Sequence, residues 1–544
     1  MGFEYKVRRT RMTTASHKVI IVGAGMAGLT AAAYLSKAGH DVLLIEKNES
    51  CGGLLSSIQK DDFVFDTGPR SIENSGAVRP LLNDLGISLE LLKSPVSIGI
   101  ENEVLHYSSS ESIYEYKSLL EKLYPNNKEE IAQIFLVIEK VLKDAAILNE
   151  IDNPIFRNMK KELGYLLKEL LPYLGKFLLA IRRINRRQDP VVDTLKKMTS
   201  NQSLIDIISQ HFFKKTPTFF ALGYFQTYLD YFYPRGGTGK IPKAVTQKII
   251  EWGGSILYNT EVHEIIPSER KLTDIDGNTF FYENLIWCAD LKSLYRFLEF
   301  RDLEEKVSRK ISIQKDKLLS NRGGDSVFSL FLGVNEPLEK FQSISKGHFF
   351  YTPSKKGLGE STWTTLRKII NNFETTPKEV IMHWLDDYCQ LNTYEISIPG
   401  LRDPSLVPKG KTGLIVSILF EYDLIKKVQE GGWYEEFKLE VENRMLEVLS
   451  KTVYPIIKDK ILFRFSLTPV SISNRVSSSE GAITGWTLVN PVPVVQTILK
   501  MTKSVKTPIP NVLQAGQWVY SPSGVPIAIL TGLAAAKNLM KNKK

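Results

Sequence analysis

The sequence predicts an α/β protein with two lobes, one a doubly wound lobe assembled from separated stretches of chain and the other a mixed α+β lobe inserted into it. Three observations predict it. A β-branched run at residues 17–22 enters Gly23-Ala24-Gly25-Met26-Ala27-Gly28 and then a helix-forming stretch at 29–37. Gly39 ends that helix, and a second strand at 41–45 leads directly to Glu46. Glycine-flanked strand patterns recur far downstream, at 253–262, 285–290 and 511–526, with two long insertions between these segments.

The first segment is a Rossmann-type strand, GxGxxG, helix order whose glycines have separable tasks. Gly23 makes the tight turn, Gly25 lets a pyrophosphate approach the backbone, and Gly28 lets helix and strand pack closely. The helix N-terminus adds unpaired N–H groups and the positive end of its dipole for phosphates. Glu46, at the end of the second strand, is placed to take both hydroxyls of an adenosine ribose; its bland alternative is a surface carboxylate.

Cys51-Gly52-Gly53-Leu54 and then Phe63-Val64-Phe65-Asp66-Thr67-Gly68-Pro69-Arg70 follow Glu46-Lys47. Over residues 19–70 this order resembles the FAD-binding flavoprotein superfamily of amine oxidases, protoporphyrinogen oxidase, phytoene desaturases, carotenoid isomerases and retinol saturases. Segment 253–262 looks like that superfamily's returning strand, where the Val262 backbone meets adenine, and 285–290 like the strand leading back to the flavin. Residues 511–518 followed by Ser523-Gly524-Val525-Pro526 resemble the closing flavin motif, with Gln517 in place of the usual acidic residue. An amide still hydrogen-bonds a phosphate or ribityl oxygen. Part of this last segment is readable without the family: Gly524 and Val525 precede Pro526, a favoured first helical residue, so their N–H groups and the helix dipole point at whatever lies in front. An isoalloxazine oxygen that gains charge on reduction is the kind of group they stabilise, and an ordinary capped helix is the alternative. The resemblance thus implies one FAD per chain, held by Gly23-Ala24-Gly25-Met26-Ala27-Gly28, Glu46-Lys47, Gly52-Gly53-Leu54, Gly68-Pro69-Arg70, Val262, Gly516-Gln517 and Gly524-Val525.

The expected FAD-binding lobe comprises 17–74, 233–300 and 472–544, and the substrate-binding lobe 75–232 and 301–471. The first insertion reads as helical and the second mixes strands at 327–334 and 413–420 with Pro and Gly turns. Tyr233-Pro234-Arg235-Gly236-Gly237 is similar to a segment of phytoene desaturases and carotenoid isomerases, and is otherwise a structural turn. Histidines 211, 263, 348 and 383 read as hydrogen-bonded scaffold, no metal cluster is expected, and no GxSxG, HExxH or paired cysteine offers another chemistry. A flavin carries such chemistry itself. The resemblance implies desaturation, saturation or cis–trans isomerisation of an apolar polyene or isoprenoid by hydride exchange with flavin N5. Arg70, Trp518 and Tyr520 are the candidates to face the ring and substrate, core packing being the alternative for both aromatics. The rivals are a protoporphyrinogen-oxidase- or amine-oxidase-like enzyme, or a lipid-binding escort resembling GDP-dissociation inhibitors, against which the retained glycines argue.

Of 544 residues 24% are charged, and 70 basic against 60 acidic residues leave a formal charge of +10, which excludes wholesale disorder. Three well-separated cysteines (51, 288 and 389) cannot build a disulfide framework and fit a reducing compartment, hence the cytoplasm. The basic leader (Lys6, Arg8, Arg9, Arg11) reads as a frayed tail rather than a secretory signal. Segment 163–187 carries leucines at helical spacing and ends in Arg182, Arg183, Arg186 and Arg187. It is either an amphipathic face for the inner surface of a membrane or a buried cap helix with a charged end. The dispersed charge and lack of a binding motif argue against nucleic acid as a partner.

Overall fold

The computed structural model describes residues 14–148, 150, 153–157 and 162–541. The leader's four cationic residues lie outside these, and the first strand, Thr14–Val22, begins three residues ahead of the expected start.

That strand is the middle of a seven-stranded sheet. Val42–Ile45 and then Ser255–Leu257 pair parallel on one side of it; Thr279–Trp287 and then Val512–Gln514 pair parallel on the other. Lys271–Asp274 and Val262–Ile266 add an antiparallel edge. Ile20, Ile21, Leu44, Ile45, Leu285 and Ile286 are fully buried, as expected of parallel strands covered on both faces. The helix Met26–Lys37 lies on one face against the final helix Val525–Lys541. Small residues permit their close approach: a Cβ on Gly532 would fall 2.3 Å from the Ala27 carbonyl oxygen.

The second sheet also has seven strands, in the order Ile461–Leu467, Ser326–Val334, Thr412–Phe420, Tyr394–Ser397, His348–Thr352, Val96–Ile100, Glu103–Tyr107. The last two correct the all-helical reading of the first insertion. Their apolar alternation spans only five residues each, too short to stand out beside the helix Lys128–Leu148, and their pairing with His348–Thr352 is visible only in the fold.

The two sheets meet through the segment that follows the paired glycines. In the strand Phe63–Asp66, Phe63 and Phe65 insert among Phe331, Ile415, Phe463 and Phe465 of the second sheet. Gly413 leaves room for the Phe65 ring, which lies 3.1 Å from where a Cβ at 413 would stand. Asp66, fully buried, accepts hydrogen bonds from Ser57 Oγ at 2.8 Å, Thr238 N at 2.8 Å, Thr238 Oγ1 at 2.8 Å and Tyr233 Oη at 2.5 Å. The Tyr-Pro-Arg-Gly-Gly segment is therefore a turn clasped onto Asp66, with Gly236 and Gly237 at φ +88° and +98°.

Asp66→Asn puts two amide hydrogens among groups that already donate. Losing charge-assisted bonds worth about 1.5–3 kcal/mol each, this variant should unfold at a markedly lower temperature than the unaltered protein; an unchanged melting curve would refute the clasp.

Candidate active site

Between the sheets lies a cavity of about 450 Å³, a size ordinary for a small-molecule site. Its first end is built by the glycine-rich turns. Gly23, Gly25, Met26 and Ala27 line it, together with Gly52, Gly53 and Leu54 from the second turn. Gly52 N donates to Ala24 O at 2.8 Å, which lays one turn on the other. A Cβ on Gly25 would meet nothing within 4 Å, whereas one on Gly28 would stand 1.9 Å from Gly23 O. Gly28 and Ala24 are accordingly packing positions outside the lining, while Gly25 opens onto the cavity.

Glu46 lines the same end, 6% exposed, and accepts from Ala24 N at 2.7 Å and from Asn48 N and Nδ2 at 3.0 and 2.9 Å. Lys47 also lines it, but its ammonium donates to Asn474 O at 2.9 Å and Ser477 Oγ at 2.5 Å, tying this rim to the loop after the helix Pro469–Val476. Val262 closes the wall.

In the middle of the cavity Gly68, Pro69, Gly516, Gln517, Gly524 and Val525 face the space. Gly516 sits at φ +109° with its N–H donating to Thr531 Oγ1 at 3.0 Å. Ser523 Oγ is buried without a partner, and a Cβ on Gly524 would lie 3.7 Å from Glu73 Oε1. These features fit FAD: open space at Gly25, a helix N-terminus at Val525 and an unsatisfied buried hydroxyl beside it.

The three candidate substrate-facing residues divide. Trp518 lines the cavity and packs edge-on against Trp486 at 4.9 Å. Tyr520 does not line it; its hydroxyl donates to Gln496 O at 3.2 Å within the core of the first lobe. The expectation for Tyr520 is corrected on that ground. Arg70 is buried at the cavity edge with both terminal nitrogens engaged: Nη1 donates to Asp66 O and Gly68 O at 2.8 Å each, and Nη2 to Ser329 Oγ at 3.0 Å and Ser417 Oγ at 2.6 Å. It stitches the lobes together and has no terminal donor left for a substrate carboxylate.

The far end is walled largely by the Leu- and Phe-rich first insertion, as expected of a tunnel for an apolar substrate, whereas its polar cluster was not foreseen. Phe212, Phe213, Phe220, Tyr224 and Phe350 form aromatic walls, and His211, His348 and Glu395 lie among them. Phe350 is opposite Glu395 and His348 opposite Ser397 in the antiparallel register, so His348 and Glu395 are diagonal neighbours on one face. His348 Nε2 is 3.0 Å from Glu395 Oε1 and Nδ1 is 3.0 Å from Ser71 Oγ. Ser71 and Ser94 hydroxyls are 2.7 Å apart, and Arg402 Nη1 donates to both, at 3.2 and 3.3 Å, and to Arg70 O at 2.6 Å. His263 and His383, by contrast, are exposed on the surface rather than scaffold. No signal at the level of sequence linked residues 71, 348, 395 and 402.

A family model described as flavin containing amine oxidoreductase matches residues 26–395. The chain is similar to the all-trans-retinol 13,14-reductase of Danio rerio, 23% identical over 546 residues that span 92% of this chain and 82% of that protein. It is also similar to the 1-hydroxycarotenoid 3,4-desaturase of a Flavobacterium species, 22% identical over 95% of this chain and 98% of that one. Among solved structures, an oxidoreductase from Methanosarcina mazei superposes with a TM-score of 0.60 at 14% identity, over 96% of this chain and all of that chain, a likeness of fold.

Two cavity groups give the protein opposite pH dependences. Burial, with Asp230 nearby, pushes the Glu73 carboxyl up to about 7 from an ordinary 4.5, while burial pushes the His211 imidazole down to about 4 from 6.5. Folded Glu73 therefore keeps a proton that the unfolded chain releases, so its contribution falls as pH rises from 4.5 to 7; folded His211 lacks a proton that the unfolded chain takes up, so its contribution falls as pH drops from 6.5 to 4. The melting temperature of Glu73→Gln should rise more steeply between pH 4.5 and 6.5 than that of the unaltered protein, and that of His211→Gln less steeply. Parallel curves for all three proteins would contradict both assignments.

Proposed function

Because the chain belongs to the flavin containing amine oxidoreductase family, and is thus an FAD-dependent oxidoreductase, we propose that its substrate is an apolar polyene or isoprenoid, altered at its C–C and C=C bonds. The observation that carries this reading is the far half of the cavity: aromatic walls, with both neighbouring arginines turned into the protein and tied there. A substrate carboxylate, as in the protoporphyrinogen-oxidase alternative, finds no free terminal guanidinium nitrogen at Arg70. The full-length similarity to proteins named for retinol and a carotenoid supports the same substrate class.

In this reading residues 17–74, 233–300 and 472–544 form the FAD lobe and 75–232 and 301–471 the substrate lobe, a division that the membership of the two sheets supports. FAD, when bound, supplies hydride exchange at N5. The protein's part is to hold and shape. Backbone at Gly25, Gly52 and Gly53 would admit the pyrophosphate, Glu46 would take a ribose hydroxyl with its one remaining lone pair, on Oε2, and Val262 would line the adenine end. The N–H groups at the start of the final helix, with Ser523 Oγ, would stabilise charge on the ring. Trp518 and the aromatic walls exclude water and align a flat conjugated chain.

We further propose that the protein docks on anionic lipid at the inner face of a membrane, from which such a substrate is drawn. The helix Leu171–Asn185, with the wider turn Leu166–Leu170 before it, leaves Leu167, Leu171, Leu174, Leu178 and Leu179 between 37% and 60% exposed. Arg182 and Arg186 are exposed beside them, whereas Arg183 and Arg187 are drawn inward by the buried Asp144, each at 2.6 Å. An apolar stripe flanked by exposed cations is complementary to an anionic bilayer. Among the described residues no helix is long and apolar enough to cross a membrane. Three unpaired cysteines support a reducing, cytoplasmic setting.

Purified protein should carry an oxidised-flavin spectrum that bleaches with dithionite and recovers on adding a polyene, with monoamines inert; bleaching or recovery driven by amines alone would overturn the substrate reading. Gly25→Ala should fold normally, since its Cβ meets no protein atom, yet lose FAD affinity by tenfold or more; full FAD occupancy would remove Gly25 from the pyrophosphate site. Leu171→Glu/Leu178→Glu should abolish co-sedimentation with phosphatidylglycerol vesicles that the unaltered protein shows, and equal recovery of both in the supernatant would sink the docking proposal.

A further inference from the structure

The side chains beyond the glycine-rich end form one polarised chain of hydrogen bonds that terminates in the cavity. Arg402 starts it as donor to Ser94 and Ser71. Burial keeps the His348 imidazole neutral, with one N–H, and a carboxylate only accepts, so His348 Nε2–H donates to Glu395 Oε1, Nδ1 accepts from Ser71, and Ser71, its one hydrogen spent, accepts from Ser94. The chain runs from a buried cation to a carboxylate. His348 is 2% exposed and stacked on Tyr231 at 5.4 Å, so its ring is held, while the Glu395 side chain keeps 35% of its surface open, and that opening is the cavity.

We propose that Glu395 is the acid–base residue of this cavity and that His348 is the positioning residue that aims it, a proposal that rests on the polyene reading above. Removing two hydrogens from adjacent carbons, or adding them, needs a proton acceptor or donor as well as hydride exchange with FAD. In the oxidative direction one C–H bond breaks with its electron pair leaving as hydride to FAD. The C–H bond on the neighbouring carbon then breaks, its pair becomes the new C=C bond, and its proton goes to a Glu395 carboxylate oxygen. In the reductive direction Glu395, first protonated from water, passes that proton to one carbon on the C=C electron pair as hydride arrives at its neighbour. Isomerisation is one direction followed by the other about a rotated bond.

The surroundings keep Glu395 ionised at rest. Burial pushes its carboxyl up, but the hydrogen bond from His348 and the cations Arg70 and Arg402 outweigh it and hold it below the ordinary range, while burial pushes the His348 imidazole down and leaves that ring neutral. Arg70 acts from the next strand, bonded to Ser417, which is opposite Glu395 in the register. Of the other ionisable groups lining the cavity here, His211 is pushed down by burial, Tyr224 and Tyr231 are pushed up by burial, and Glu73, near those tyrosines, is pushed up by burial to about 7. Glu395 is thus an anion that a substrate carbon meets among aromatic side chains, already ionised to accept a proton.

The test uses FAD-loaded protein in D₂O, with all-trans-retinol for the reduced flavin and 13,14-dihydroretinol for the oxidised flavin. Glu395→Gln should lose turnover at least 100-fold while FAD content and dithionite bleaching stay as in the unaltered protein. Glu395→Asp, which withdraws the carboxylate by one methylene, should lose at least tenfold, and it decides the matter should the Gln variant fail to hold FAD. His348→Asn should move the acid limb of the oxidative pH–rate profile to higher pH, whereas a merely structural role would scale the rate equally at every pH and overturn the positioning assignment. Turnover and deuterium incorporation by both Glu395 variants within twofold of the unaltered protein would overturn the proposal and leave the polyene reading standing. An unaltered, FAD-loaded protein inert to both retinoids would bring down the polyene reading and the proposal together.

Discussion

The rest of the structure depends on the satisfaction of one buried anion. Asp66 lies where the first lobe's chain turns toward the second sheet, with no solvent to hydrate it. A carboxylate in that position is tolerable only when donors converge on it. Those donors come from Ser57 in the hairpin it closes and from Tyr233 and Thr238, more than 160 positions downstream. Satisfying Asp66 therefore fixes how the end of the first insertion returns to the FAD lobe. It also dictates glycine at 237, where a Cβ would stand 3.0 Å from Ser57 Oγ and 3.2 Å from Asp66 Oδ1.

From that anchor the buried charges follow in sequence. The Arg402 guanidinium lies 4.1 Å from the Tyr233 ring centre, and Tyr233 is hydrogen-bonded to Asp66. Arg70 binds the backbone oxygen of Asp66 and the serines of the second sheet, and Arg402 binds the backbone oxygen of Arg70. Two buried cations thus stand between two carboxylates, Asp66 on the structural side and Glu395 on the cavity side. Each buried ion, Asp66, Arg70 and Arg402, has opposite charge or donors and acceptors beside it, which is the condition for burying three of them. The cavity inherits a polarity from this arrangement: backbone N–H groups and a helix N-terminus at one end, suited to phosphate and to a charged ring edge, and the Glu395 carboxylate among aromatic side chains at the other.

The parts of the site legible in the sequence are those that act through backbone. A glycine has to stand where a turn is tight or a second chain comes close, so Gly23, Gly25, Gly28, Gly52 and Gly53 mark the first lobe within about thirty positions, and each is where its spacing implied. Arg70, Trp518 and Tyr520 fared differently because their candidacy rested on nearness in sequence to those motifs. Nearness does not set side-chain direction: the same stretch aims Trp518 at the cavity and Tyr520 into the core. The strands Val96–Ile100 and Glu103–Tyr107 were hidden for a related reason, since the hairpin they form joins the sheet only where Val96–Ile100 pairs with a strand about 250 positions away.

The sequence by itself determined the nucleotide lobe, its discontinuity and its flavin, because glycine, proline and β-branched residues constrain the chain locally and leave a local record. Only the tertiary structure decided what the substrate meets. Ser71, His348, Glu395 and Arg402 come from four separate stretches, and the register of one antiparallel pair sets His348 beside Glu395. A shift of that register by one residue would put the two side chains on opposite faces of the sheet, and nothing in the composition of either strand would record the change.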